Sequence, residues 1–298
     1  MSKRLAKCEL EKKFLIAAEQ KNYEVVRECL SIGVNPNARR TDRVTALHIA
    51  AERGDVELAL LLLSAKGLNM NPFTIHGFSP LIVACLSRKD DMVEFLLNHG
   101  AAVDIPERFG KSSMHHAVFM DCLSIANILI KHHANLNDMD VFSHTPLSIS
   151  VVDRHFLPMV KLLIENGADI NLHRGDMVLP LFLEACLGCC SEKHLEVITY
   201  LLQSGIDPNT TDNLTNRNAF HYFAINNYLP LARELSNWGT DVYHIDRYNL
   251  TPLKLAKQHS NMDAVDFLDD LEYKRVASLE SQNSKHFKVK FNDDLVPT

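Results

Sequence analysis

Apolar positions along the chain fall into short runs with the spacing of helix faces, each cut by a polar turn. The stretch from Thr45 to Asn71 shows the unit. Leu47, Ala50 and Ala51 stand at i, i+3 and i+4 and make one face of a helix. Thr45, just ahead of them, has a hydroxyl that can cap orphan helix N–H groups. The next position, Ala46 here, is proline in sister stretches (Pro80, Pro146 and Pro252), and proline suits the first helical position. Gly54 and Asp55 break this helix, and Val56 to Leu63 is a second, more apolar one. Gly67 closes it, as glycine does where the chain turns left-handed. The pattern predicts helix, turn, helix and an outgoing loop.

The same unit recurs, starting at Lys12, Thr45, Ser79, Ser112, Thr145, Leu179, Asn218 and Thr251, in steps of 33, 34, 33, 33, 34, 39 and 33 residues. A fixed period of this length marks a repeat solenoid, in which each unit completes its core against its neighbours. The starts read SPLIVA, SSMHHA, TPLSIS and TPLKLA, and the second halves read MVEFLLNHGAAVD and MVKLLIENGADIN. These runs resemble the ankyrin repeat over about residues 11–271. The resemblance implies an all-α solenoid of helix-turn-helix pairs with β-hairpin-like fingers. It sets the domains as a lead over 1–10, a repeat domain over 11–271 and a flexible tail over 272–298.

The regular units have informative departures. Lys12 and Lys13 replace Thr-Pro in the first, which suits a capping repeat with one face to water. His133 stands where other repeats have glycine, and histidine visits the left-handed region more readily than most residues. The long sixth step places extra residues near Leu187 to Lys193, read as a longer turn between its two helices. Glu184 sits where the pattern wants alanine and needs a partner or solvent. The seventh repeat is aromatic (Phe220, Tyr222, Phe223, Tyr228, Trp238), and Pro230 opens its second helix.

Composition narrows the function. The apolar share of 46% suits a folded chain. No apolar run reaches the about 18 residues of a membrane span, and no apolar leader follows the basic start, so neither membrane insertion nor a signal peptide is expected. Seven scattered cysteines point to reduced thiols inside a cell, cytoplasmic with the nucleus possible. Residues 1–40 carry 9 Lys and Arg against 5 Asp and Glu, residues 41–271 carry 17 against 28, and residues 272–298 carry 5 against 4. The acidic body argues against nucleic acid as a partner.

Candidate chemistry is sparse. Cys186, Cys189, Cys190 and His194 crowd into nine residues, whereas structural zinc draws on two separated ligand pairs, so no metal and no cofactor is expected. His48, His115 and His221 occupy the TPLH position, where the resemblance implies hydrogen bonds to neighbouring backbone. No phosphate loop or hydrolase motif is present, and no catalytic residue is assigned.

Binding surfaces are the stronger reading, because loops on rigid scaffolds carry function. The position three before each repeat start lies near a finger tip and reads Asp42, His76, Phe109, Phe142, Asp176, Thr215 and Tyr248. Phe109 and Phe142 are neighbours in the stack, with Arg108, Met139 and Val141 beside them. Exposed aromatics next to arginine anchor protein interfaces; the alternative is that the rings fold back onto adjacent fingers. Asn171, with Leu163 and Asp169 ahead of it, is similar to the asparaginyl-hydroxylase acceptor pattern of ankyrin fingers. In the tail, Lys288, Val289, Lys290 and Phe291 resemble the RVxF docking motif for the protein phosphatase 1 catalytic subunit.

These observations predict a non-catalytic protein-binding scaffold or adaptor acting through finger tips and concave face, its partner unidentified. The alternatives are a protein phosphatase 1 targeting subunit, through the tail, and a ubiquitin-ligase substrate receptor.

Overall fold

The computed structural model describes residues 2–175 and 177–275. The chain divides after Arg174 into two units. The described part of the first holds α1 (Ser2–Glu19), α2 (Tyr23–Ser31), α3 (Ala46–Arg53), α4 (Val56–Leu63), α5 (Pro80–Leu86), α6 (Asp90–Asn98), α7 (Ser113–Phe119), α8 (Leu123–Lys131), α9 (Pro146–Ser148) and α10 (Leu157–Glu165). The first helices α1, α3, α5, α7 and α9 pack in one row, and the second helices α2, α4, α6, α8 and α10 in another. Residues 2–10, read from sequence as a lead, belong to α1.

Helices α3, α5, α7 and α9 each start behind a Ser or Thr at the capping position. Ser79 Oγ accepts from the Ile82 N–H at 3.3 Å, with Pro80 behind it at the helix start. Second helices are tied across repeats as well: Asp55 caps α4 through the Leu58 N–H at 3.0 Å and accepts from the Tyr23 hydroxyl at 2.9 Å. Between the rows, Leu47, Leu58, Leu62, Leu81, Ile82, Met92, Leu96 and Met114 are buried. Each such side chain contributes about 1.5–3 kcal/mol of hydrophobic free energy. His133 has φ 61°, the left-handed turn its place in the pattern requires.

The fifth repeat departs from its neighbours. Helix α9 continues as a π-helix, Ile149–Arg154. Ser112 precedes the start of α8 by eleven positions, while Thr145 precedes the start of α10 by twelve. The extra residue is absorbed as a π-turn, the usual way a helix accommodates a one-residue insertion. Arg154 at its end pairs with Asp121 of the repeat before, Nε to Oδ1 at 3.1 Å.

The second unit holds α11 (Leu181–Leu187), α12 (Glu192–Gln203), α13 (Ala219–Asn226), α14 (Leu229–Asn237), α15 (Pro252–His259) and a helix over residues 262–275, which runs past the boundary expected at 271. Here α13 packs between α11 and α15, and α12 packs on α14. The long sixth step is spread over three places. The turn between α11 and α12 is longer than the Gly54-Asp55 turn, α12 has 12 residues where α4 has 8, and the finger loop from Asp212 closes on Arg217 rather than four residues on. Glu184 is partly exposed, so it reaches solvent. Pro230 stands in the first turn of α14, as its position predicted.

Candidate functional site

The fingers between repeats carry no named strand among the described residues, but they are closed by a recurring set of bonds. Asp140 N–H donates to the His144 carbonyl at 2.9 Å and Ser143 N–H to the Asp140 carbonyl at 3.0 Å. Asp140 Oδ1 accepts from the N–H groups of Phe142 and His144, both at 2.9 Å. The finger before it repeats the closure, Glu107 N–H to the Lys111 carbonyl at 3.0 Å and Gly110 N–H to the Glu107 carbonyl at 3.0 Å. Adjacent fingers are joined by Val141 N–H to the Phe109 carbonyl at 2.9 Å. With tip backbone groups paired this way, the loop holds its shape without help from its outer side chains.

Two glycines make the close stacking possible. Gly77 and Gly110 have φ of 85° and 82°; a Cβ on Gly77 would meet the Arg108 nitrogen at 2.8 Å, and one on Gly110 the Asp140 Cα at 3.1 Å. Glycine takes this backbone without strain and leaves room for the next finger.

The tip side chains therefore project outward. Phe109 is 56% and Phe142 61% exposed, and Arg108, Met139 and Val141 are exposed beside them. Phe109, Phe142 and Arg108 border one recess, whose walls also include His76, Phe78 and His116. Of these, His76 stands in the finger series read from the sequence; Phe78 and His116 were not singled out there, and their only signal was position, Phe78 closing a finger and His116 following the TPLH histidine. Tyr248 belongs to the second unit. It is 66% exposed, and the Arg217 guanidinium lies 5.9 Å from its ring centre. The buried Asp246 holds that finger, accepting from the Tyr248 and Leu250 N–H groups at 2.9 Å each and from Arg217 Nε at 2.9 Å. These pairings hold the Asp246 carboxyl below its usual range against the burial that would raise it.

The TPLH histidines work inside the fold. Thr45 N–H donates to His48 Nδ1 at 3.2 Å, which leaves Nε2 to donate to the Phe78 carbonyl at 3.0 Å. His115 does the same between Ser112 N–H (3.1 Å) and the His144 carbonyl (3.1 Å), and His221 between Asn218 N–H (3.4 Å) and the Leu250 carbonyl (3.1 Å). Each needs the neutral ring, and burial lowers all three pKa values despite the carbonyl bond that opposes it. Burial, with Lys111 and His115 adding to it, pushes His116 down to about 4. The linkage has a definite sign. The unfolded chain binds protons at these rings near the ordinary histidine value and the folded chain does not, so stability is full above that value and is lost as pH falls towards the folded pKa values. The urea midpoint is expected to drop between pH 7 and pH 5, and a flat midpoint there would contradict the assignment.

Cys186 and Cys189 are buried free thiols, with burial pushing Cys189 up to about 12 and Cys186 well above its ordinary value. Cys190 is exposed, and its N–H donates to His194 Nδ1 at 3.0 Å. Among the described residues no three His, Cys, Asp or Glu side chains are grouped to hold a metal. Asn171 is exposed, and its N–H donates to Asp169 Oδ1 at 2.9 Å, while Leu163 is buried. Lys288, Val289, Lys290 and Phe291 lie outside the described residues, as does Asp176 of the finger series.

The family profile described as ankyrin repeats matches residues 14–107, 99–174 and 186–275. This chain belongs to the ankyrin-repeat family. Its match leaves out the opening of the sixth repeat, where the spacing is least regular. Relatives include the human transient receptor potential cation channel subfamily A member 1, 27% identical over 85% of this chain and 23% of that protein. A mouse B-cell lymphoma 3 protein homolog is 30% identical over 54% of this chain and 36% of its own length. An ankyrin repeat and KH domain-containing protein of Caenorhabditis briggsae is 31% identical over 76% of this chain and 8% of its own. The chain thus spans about a third or less of each of these relatives. Ankyrin repeats are in general protein–protein interaction modules. No helix among the described residues is long and apolar enough to cross a membrane.

Proposed function

We propose that this ankyrin-repeat chain is a non-catalytic adaptor that binds a partner protein through its finger tips and the angle between fingers and first helices. One observation carries the reading: Phe109 and Phe142 stand on adjacent fingers, joined by a backbone bond, with their rings largely in solvent. Burying such rings on a partner gains hydrophobic free energy, and the fingers are already ordered, so little entropy is lost on binding. Arg108, Met139 and Val141 extend the same patch, and Tyr248 supplies a further aromatic on the second unit.

The test compares partner capture from cells by the intact chain and by the Phe109→Ala, Phe142→Ala double variant. Truncating an interface anchor typically costs about 2 kcal/mol or more. Captured partners are expected to be lost from the variant while its circular dichroism and urea midpoint stay unchanged. A variant that unfolds makes the rings structural, and one that keeps every partner removes the fingers from the interface.

A further inference from the structure

Two recesses open in the first unit where fingers meet first helices, and they share His76 and Phe78 as a common wall. Their charges differ. The one of about 370 Å³ is lined by Asp42 and Glu52 and by no lysine or arginine. The one of about 580 Å³ is lined by Arg108 and Lys111, with Phe109 and Phe142 at its rim.

The two cations are not spent inside the fold. By contrast, Arg40 pairs with Glu19 at 2.6 Å and Arg154 with Asp121. Among the described residues no carboxylate lies within ion-pairing distance of Arg108 or Lys111, and the Lys111 ammonium rests 5.9 Å from the Phe119 ring centre. Glu107 also borders this recess, but it is buried, and one of its oxygens accepts from the Lys111 N–H at 3.3 Å. The floor is aromatic, with Phe78 and His116 edge to face at 6.1 Å. The His116 Nε2 is buried and has no hydrogen-bond partner there among the described residues.

We propose that this recess takes a peptide segment of a partner protein in which carboxylates flank an aromatic or aliphatic side chain. The inference rests on the adaptor reading and narrows it. The apolar side chain would lie against Phe78, Phe109 and Phe142, and the carboxylates would reach the guanidinium of Arg108 and the ammonium of Lys111. Arginine suits this role because its fork meets a carboxylate through two bonds. The neighbouring recess offers the same segment no cation and repels it through Glu52, its Asp42 being paired with Arg40 at 3.6 Å. Such complementarity sets partner choice more than affinity.

The experiment uses the full chain and three fluorescein-labelled peptides with a central Phe-Leu pair, flanked on both sides by glutamates, by glutamines or by lysines. Anisotropy titrations at low salt are expected to give the glutamate peptide at least about tenfold tighter binding than the glutamine peptide, with the advantage shrinking at high salt as screening grows. Arg108→Glu with Lys111→Glu should reverse the order, so that the lysine peptide binds best, whereas Glu52→Gln should leave the order as it was. Circular dichroism checks that both variants are folded. Equal binding of the glutamate and glutamine peptides, an order untouched by the charge reversal, or no binding of any peptide would overturn the proposal. Binding of a labelled single-stranded DNA decamer in place of the glutamate peptide would also overturn it, by assigning the cations to nucleic acid. The Phe109, Phe142 capture experiment stands apart. If capture is lost there while the peptides show no charge preference, the adaptor reading holds and this inference fails.

Discussion

Phe223→Ala is expected to destabilise the second unit by about 3–5 kcal/mol, the range for removing a fully buried phenylalanine ring. Phe223 is 0% exposed on α13, the first helix packed between α11 and α15. Its ring meets Phe220 edge to face at 6.3 Å and Phe267, from the helix over 262–275, at 5.9 Å. The loss would therefore open a cavity between the seventh and eighth repeats, and relaxation would fill little of it because both neighbouring rings are held by their own helices. Repeat stacks are stabilised by nearest-neighbour interfaces, so the damage should be local first. Amides of 252–275 are expected to exchange faster than in the parent at concentrations of urea where the first unit is still protected. A midpoint and exchange pattern within error of the parent would show that the aromatic cluster is not a core.

His115→Leu is the second large effect expected. The imidazole is fully buried and joins two backbone groups, the Ser112 N–H at the start of α7 and the His144 carbonyl at the end of the next finger. Leucine fills similar space but pairs with neither. Each buried polar group left without a partner costs about 1–3 kcal/mol, so the pair should cost roughly 2–6 kcal/mol. The variant should also lose part of the acid sensitivity, since one of the rings that stay neutral in the fold is gone. Urea titrations of parent and variant at pH 7 and pH 5 measure both. A loss confined to a few tenths of a kcal/mol would mean that water replaces the ring's bonds.

The period, the capping residues and the TPLH histidines were legible because each is a local pattern with one physical reading. Thr45, Ser79 and Thr145 cap helices where the sequence put them. The spacing of starts, however, cannot say where inside a repeat an extra residue falls. Steps of 34 residues begin at both Thr45 and Thr145, yet only the second contains a π-turn; in the first, the start of α4 keeps the ordinary offset. The sixth step was read as one long turn, and its additions proved to be shared among turn, helix and finger. The tip residues of the candidate site followed from position alone. Its aromatic floor did not, because Phe78 and His116 come from different repeats and meet only when the repeats stack. Nor did the composition of the body, acidic over residues 41–271, reveal that Arg108 and Lys111 make a local cationic patch.

Photo-crosslinking from single positions tests most directly whether the fingers are the docking surface. A benzophenone side chain placed at Phe109 samples the finger tips, and one placed at the exposed Glu94 on α6 samples the outer helices. The adaptor reading predicts a crosslinked partner band from position 109, confirmed by mass spectrometry to contain residues 104–112, and none from position 94. A partner band from position 94 with none from position 109 would contradict it.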